Sequence, residues 1–121
     1  MFTVHAKTPL ELCNAIYTLV GENLAYFDAQ KRAIDILETP VFYQREPRGE
    51  NKFFNIRDLL ARGYGDCEDL SAALIAYFLF LKYEARPVLR ETAPHLYHVT
   101  VEVKEQGKWV QVDPSRIKGM K

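Results

Sequence analysis

Residues Arg62–Tyr83 read RGYGDCEDLSAALIAYFLFLKY, and no other stretch restricts the fold as much. Gly63-Tyr64-Gly65 does not extend a helix comfortably, and its two glycines permit a sharp turn or a close approach of backbones. Asp66 is a good N-cap with Asp69 three residues on, so a helix starts at or beside Cys67. Along it Leu70, Ala73, Leu74, Tyr77, Phe78 and Leu81 fill one face, and Ala72, Ile75, Ala76, Leu79 and Phe80 fill much of the rest. A helix that is apolar nearly all round belongs at the centre of a core. The run Leu70–Leu81 falls short of the about 20 residues that span a bilayer.

A helix held this way presents its polar N-terminus, and the thiol of Cys67, at the edge of the core. Unpaired N–H groups and the positive end of the helix dipole favour thiolate over thiol. A fixed sulfur of lowered pKa is what nucleophilic catalysis needs. Asp66 and Glu68 oppose the thiolate, so a cationic partner is required. On this reading iodoacetamide labels Cys67 faster than Cys13. The plainer reading of Cys67 is a small residue in a first helical turn.

The rest of the chain divides into helices first and strands last. Thr8-Pro9-Leu10-Glu11 is a helix start with a capping box. Leu12, Ala15, Ile16, Leu19 and Val20 follow as an apolar stripe, and Gly21 is expected to end it. Cys13, at the edge of that stripe, reads as a small packed hydrophobe. A second helix is expected over Tyr26–Leu37, a polar loop over Gln44–Asn51, and a short helix over Ile56–Arg62, capped by Asn55 and stopped by Gly63. Strands are expected at Pro87–Leu89, Tyr97–Val103 and Trp109–Val112, with Gln106-Gly107 as the last hairpin turn. This order implies an α+β fold: N-terminal helices and a central buried helix on a small C-terminal antiparallel sheet.

Of His5, His95 and His98, only His98 lies inside a convincing strand. There Tyr97, Val99, Val101 and Val103 take one face, and His98, Thr100 and Glu102 the other. A two-residue turn at Gln106-Gly107 pairs Glu105 with Lys108, Val103 with Val110 and Val101 with Val112. All the valines then share the core face. The same register sets His98 and Asp113 on the opposite face, diagonal across the strand pair, whereas a one-residue slip separates them. If the other side of the ring meets Cys67, a thiolate–imidazolium pair forms, with Asp113 holding the histidine. The plainer readings are a surface strand histidine and a strand end before a turn.

Composition excludes several classes. With 16 basic and 16 acidic residues the net charge is zero, and no block of one sign suggests a nucleic-acid or membrane surface. Cys13 and Cys67 fit neither a disulfide framework nor a zinc-finger spacing. The first residues lack the pattern of a secretory signal. A cytoplasmic setting is the expectation.

The three stretches GYGDCEDLSAALIAYFLF, HLYHVTVEV and GKWVQVDPS together resemble the transglutaminase-like superfamily of papain-like fold, and EPRGENKFFNIRDLLARG looks like the lead-in of small phage-encoded and bacterial members. The resemblance spans roughly residues 40–116 and treats 1–121 as a single domain. It implies Cys67 as nucleophile, His98 as base and Asp113 as orienting acid, working without a cofactor on a protein or peptide substrate by amide hydrolysis, deamidation or amine transfer. It also implies an oxyanion site from the Cys67 N–H, with Gln44 or Asn51 as upstream side-chain donors. Larger members continue beyond the acid, so a shallow cleft is expected here.

Two other readings stand beside this one. One is a catalytically idle phage structural or assembly protein, with particle or assembly partners and a place in the host cytoplasm or the virion. The other is a metal site from Cys67, His95 and His98. It is disfavoured because imidazoles at His95 and His98 diverge where a strand begins.

Overall fold

The computed structural model describes residues 1–3, 8–46, 52–94 and 96–121. Their order is β1 (Phe2–Thr3), α1 (Pro9–Gln30), a 3-10 turn (Ile36–Glu38), β2 (Phe42–Tyr43), β3 (Lys52–Phe53), α2 (Ile56–Arg62), β4 (Tyr64–Gly65), α3 (Cys67–Phe80), β5 (Ala85–Ala93), β6 (Leu96–Glu105), β7 (Lys108–Val112) and α4 (Pro114–Ile117). The fold is α+β. Strands β5, β6 and β7 form an antiparallel sheet in that order, β1 pairs antiparallel with β3, and β2 pairs parallel with β4.

Helix α3 is the centre of the core. Leu70 and every residue from Ser71 to Ala76 are buried. On one side it meets α1, where Phe27 packs edge-on against Phe80 at 5.9 Å between ring centroids. On the other it meets β6, whose Val99 and Val101 are buried in the same core.

Gly21 does not end the first helix. The buried face continues past it to Asn23 and Phe27, both fully buried. Asn23 Oδ1 accepts the Ile56 N–H at 2.8 Å and Glu22 Oε1 accepts Asn55 Nδ2–H at 3.1 Å, so this turn of α1 seats the start of α2. A helical glycine costs about 1 kcal/mol relative to alanine, which this packing outweighs. The expected second helix over Tyr26–Leu37 is therefore the end of α1 followed by a 3-10 turn.

The short helix over Ile56–Arg62 forms as expected, with Asn55 accepting the Asp58 N–H and Gly63 in the left-handed region at φ 86. Pro87 lies within β5, which is an edge strand and tolerates a missing donor.

Candidate active site

The site has two halves. The first is the turn into α3. Gly65 is required by proximity: a Cβ there would collide with Leu59 Cδ2, in the core, and come within 3.2 Å of Asp69 Cβ. Asp66 and Asp69 form a capping box, with Asp69 Oδ2 accepting the Asp66 N–H at 3.1 Å. Asp69 Oδ1 accepts the Phe54 N–H at 2.9 Å and Asp66 Oδ2 accepts the Glu46 N–H at 3.0 Å. Two upstream segments are thus pinned to the helix start.

Cys67 is the first residue of α3 and only 5% exposed. Its thiol donates to Glu68 Oε2 at 3.2 Å. Burial pushes this thiol well above its usual range, and the charges of Glu68 and Asp66 push the same way; the Val99 N–H aimed at the sulfur pulls against them. The lowered pKa expected from the helix end is thus overturned in this arrangement. Partial helix charge is outweighed by desolvation and two carboxylates. Exposure works against the expected labelling order too, since Cys13 is the more exposed of the two thiols.

The neighbouring acids are raised for the same reasons. Burial, then Asp66, pushes Glu68 up to about 8. Burial, then Glu68, raises Asp69 well above its usual range, against two backbone N–H donors. Ligand atoms of Asp66, Cys67 and Glu68 lie within 4.8 Å of one another, and His98 is not among them. His95, the other histidine of the metal reading, and His5 lie outside the described residues.

The second half is the β6–β7 hairpin. Its register pairs Glu105 with Lys108, Val103 with Val110 and Val101 with Val112, as the valine pattern predicts. Gln106 and Gly107 take φ 50 and φ 80 in the turn, the geometry such two-residue turns need. The core face is narrower than expected, because Val110 is 41% exposed on edge strand β7.

Across this pair His98 Nε2 and Asp113 Oδ2 lie 2.8 Å apart, both side chains largely enclosed. Asp113 also caps α4, its Oδ1 accepting the Arg116 N–H at 3.3 Å. The acid is therefore fixed by a helix start as well as by the imidazole. A cleft of about 650 Å³ opens over this face, lined in part by His98, Asp113, Arg90 and Arg116.

Strand β6 joins the halves. The Val99 N–H points at the Cys67 sulfur, and Ser71 Oγ donates to the Val99 carbonyl at 3.1 Å. The nucleophile's helix is docked on the residue after His98. The ring engages Asp113 through Nε2, which leaves Nδ1 as the nitrogen to serve a thiol.

The oxyanion candidates fare differently. The Cys67 N–H donates to Asp66 Oδ1 at 2.6 Å, so that carboxylate occupies the donor. The Gln44 N–H donates to the Gly65 carbonyl at 2.9 Å, which sets Gln44 beside the turn into Cys67. Asn51 lies outside the described residues. Sequence reasoning passed over Tyr43, which the β2–β4 register pairs with Gly65. Burial, then Asp66 and Cys67, pushes its phenol up to about 12, so it remains a proton donor beside the thiol. The alternation in VFYQ was too short to reveal a two-residue parallel strand.

The sequence model of the transglutaminase-like superfamily matches residues 2–114. The chain belongs to that superfamily, which fits a cysteine-dependent enzyme fold. The match reaches back through α1, further than the motifs alone suggest. Neither the curated proteins nor the solved structures yield a match.

Proposed function

We propose that this protein carries out cysteine-dependent acyl chemistry on amide bonds, with Cys67 as nucleophile, His98 as base and Asp113 as its orienting acid. The observation that carries the reading is the 2.8 Å contact between His98 Nε2 and Asp113 Oδ2 on the strand whose next residue faces the Cys67 sulfur. In the first step the thiol proton passes to His98 Nδ1 and the sulfur attacks the amide carbon. The carbon–nitrogen bond then breaks, and the leaving ammonia or amine takes the proton from His98, leaving a thioester on Cys67. Water or a second amine cleaves the thioester, giving its proton to His98, and the thiol re-forms. Asp113 keeps the ring oriented and stabilises the imidazolium.

The resting geometry sets a condition. Substrate binding has to draw Asp66 Oδ1 from the Cys67 N–H and Glu68 from the thiol before the sulfur attacks. That closed arrangement favours a second reading, an idle scaffold that retains the fold in a phage particle or assembly. Mass spectrometry after incubation with a glutamine- or peptide-based acyl probe tests the first reading. The expected result is an adduct on Cys67 in the wild type and none in His98→Ala. Full biological complementation by Cys67→Ala would instead establish the scaffold.

A further inference from the structure

We propose that the cleft over His98 and Asp113 holds a carboxylate of the peptide substrate against Arg90, which makes Arg90 a specificity-determining residue. This rests on the amide-substrate reading above and adds a specificity to it.

Strand register brings Arg90 to the site. In the β5–β6 ladder Arg90 is paired with His98 and Val88 with Thr100. Residues directly opposed on one face have Cβ atoms about 4.5–5.5 Å apart. The ladder thus sets a guanidinium beside the proposed base, and both side chains line the cleft. Arg90 is exposed, and among the described residues it has no hydrogen bond or ion pair. The acids around it are engaged elsewhere. Glu91 pairs with Tyr97 on the opposite face, and Glu102 holds Arg86 Nε at 3.1 Å. Asp113 Oδ2 lies 2.8 Å from His98 Nε2 and 3.5 Å from Arg116 Nε.

The cleft, at about 650 Å³, falls within the roughly 300–1,000 Å³ of ligand sites, so it has room for a stretch of peptide. Apart from Arg90, His98, Asp113 and Arg116, its described lining is uncharged, and the Thr100 hydroxyl accepts from Gln111 Nε2 at 3.0 Å. Arg116 and Asp113 offset each other, which leaves Arg90 as the unopposed charge. A guanidinium fork suits the two oxygens of a carboxylate. The reaction adds a second reason. His98 becomes an imidazolium when the thiol gives up its proton, with Arg90 directly opposite, and like charges so placed repel. A carboxylate bound at Arg90 offsets that repulsion.

The test is binding to the full chain carrying Cys67→Ala, which needs no turnover. The first probes are acetylated, amidated heptapeptides of alanine around a central glutamine, with a single glutamate walked through the flanking positions. Each is compared by calorimetry with its glutamine twin at low and high salt. A second set ends shortly after the central glutamine, as the free acid or the amide, and asks whether a chain end supplies the carboxylate instead. At one position, or at the chain end, the carboxylate should bind about three- to fivefold tighter than its neutral twin, with the gap narrowing in salt. In Arg90→Gln the preference should vanish, and in Arg90→Lys part of it should remain. Arg90 is exposed on an edge strand, so its replacement leaves the core intact. A carboxylate preference in neither set overturns the subsite, as does one that survives Arg90→Gln or high salt, and as does failure of every peptide to bind. A preference lost in Arg90→Gln, with no peptide acylating wild-type Cys67, would instead uphold the subsite and overturn the amide reading.

Discussion

The two halves of the site are built to opposite specifications. The Cys67 half is closed, with Cys67 5% exposed, the thiol bonded to Glu68, the backbone donor taken by Asp66, and two neighbouring acids, Glu68 and Asp69, raised by desolvation and nearby charge. The His98–Asp113 half faces an open cleft, with its hydrogen bond already made at 2.8 Å and its acid anchored as a helix cap. A helix end can only be as electropositive as its immediate surroundings allow, and here the cap residues themselves are carboxylates. The base half is prepared in advance, whereas the nucleophile half must be released.

The largest expected effect tests whether the base half acts as one unit. Asp113→Ala should lower acylation of Cys67 by on the order of 10²–10⁴-fold and cost about 1 kcal/mol of stability through loss of the α4 cap. Asp113→Asn should cost less activity, because an amide oxygen still accepts from the ring. Rates of probe labelling with parallel melting curves separate the two effects, and equal activity in all three proteins would show that the pair is ornamental.

Next comes the packing that holds the closed half. Gly65→Ala has to displace Leu59 in the core and crowd Asp69. It should destabilise the fold by about 1–3 kcal/mol in chemical denaturation. No loss would mean that the turn into α3 is looser than its contacts indicate.

The smallest effect probes the closure directly. Glu68→Gln removes the carboxyl nearest the thiol, which is charged only as pH rises through about 8, so iodoacetamide should label Cys67 severalfold faster above that pH, with Cys13 as the internal reference. Stability should respond as well. Glu68 in the folded chain is raised from 4.5 to about 8, so the folded state holds this proton more tightly than the unfolded chain. The contribution is fully present below the unfolded value and is lost as pH rises through about 8. The wild-type melting temperature should therefore fall between about pH 5 and pH 9, and Glu68→Gln should flatten that fall. An unchanged slope and an unchanged labelling rate would remove Glu68 from the account of the closed half.

Much of this site was legible before any coordinates, and the reasons are local. The register of β6 on β7 follows from valine alternation and from Gln106-Gly107, since side chains alternate with period 2 and a slip would bury charge. That alone set His98 beside Asp113. The start of α3 was equally readable, because Asp66, Asp69 and the apolar run after them admit one capping arrangement. The end of α1 was misread for a physical reason: Gly21 weakens a helix only slightly, contacts made by Asn23 with a segment 33 residues away carry the helix past it, and the helix stops only at the left-handed Lys31.

What the tertiary structure alone decided is the chemical state of the sulfur. From sequence, the dipole of α3 argued for a thiolate. In the fold, burial and the inward turn of Glu68 and Asp66 argue for a thiol. Hydrogen-bond patterns and apolar periods are properties of neighbouring residues and survive in a string of letters. Desolvation depends on everything packed around a group, from segments distant in sequence, and no local pattern encodes that sum.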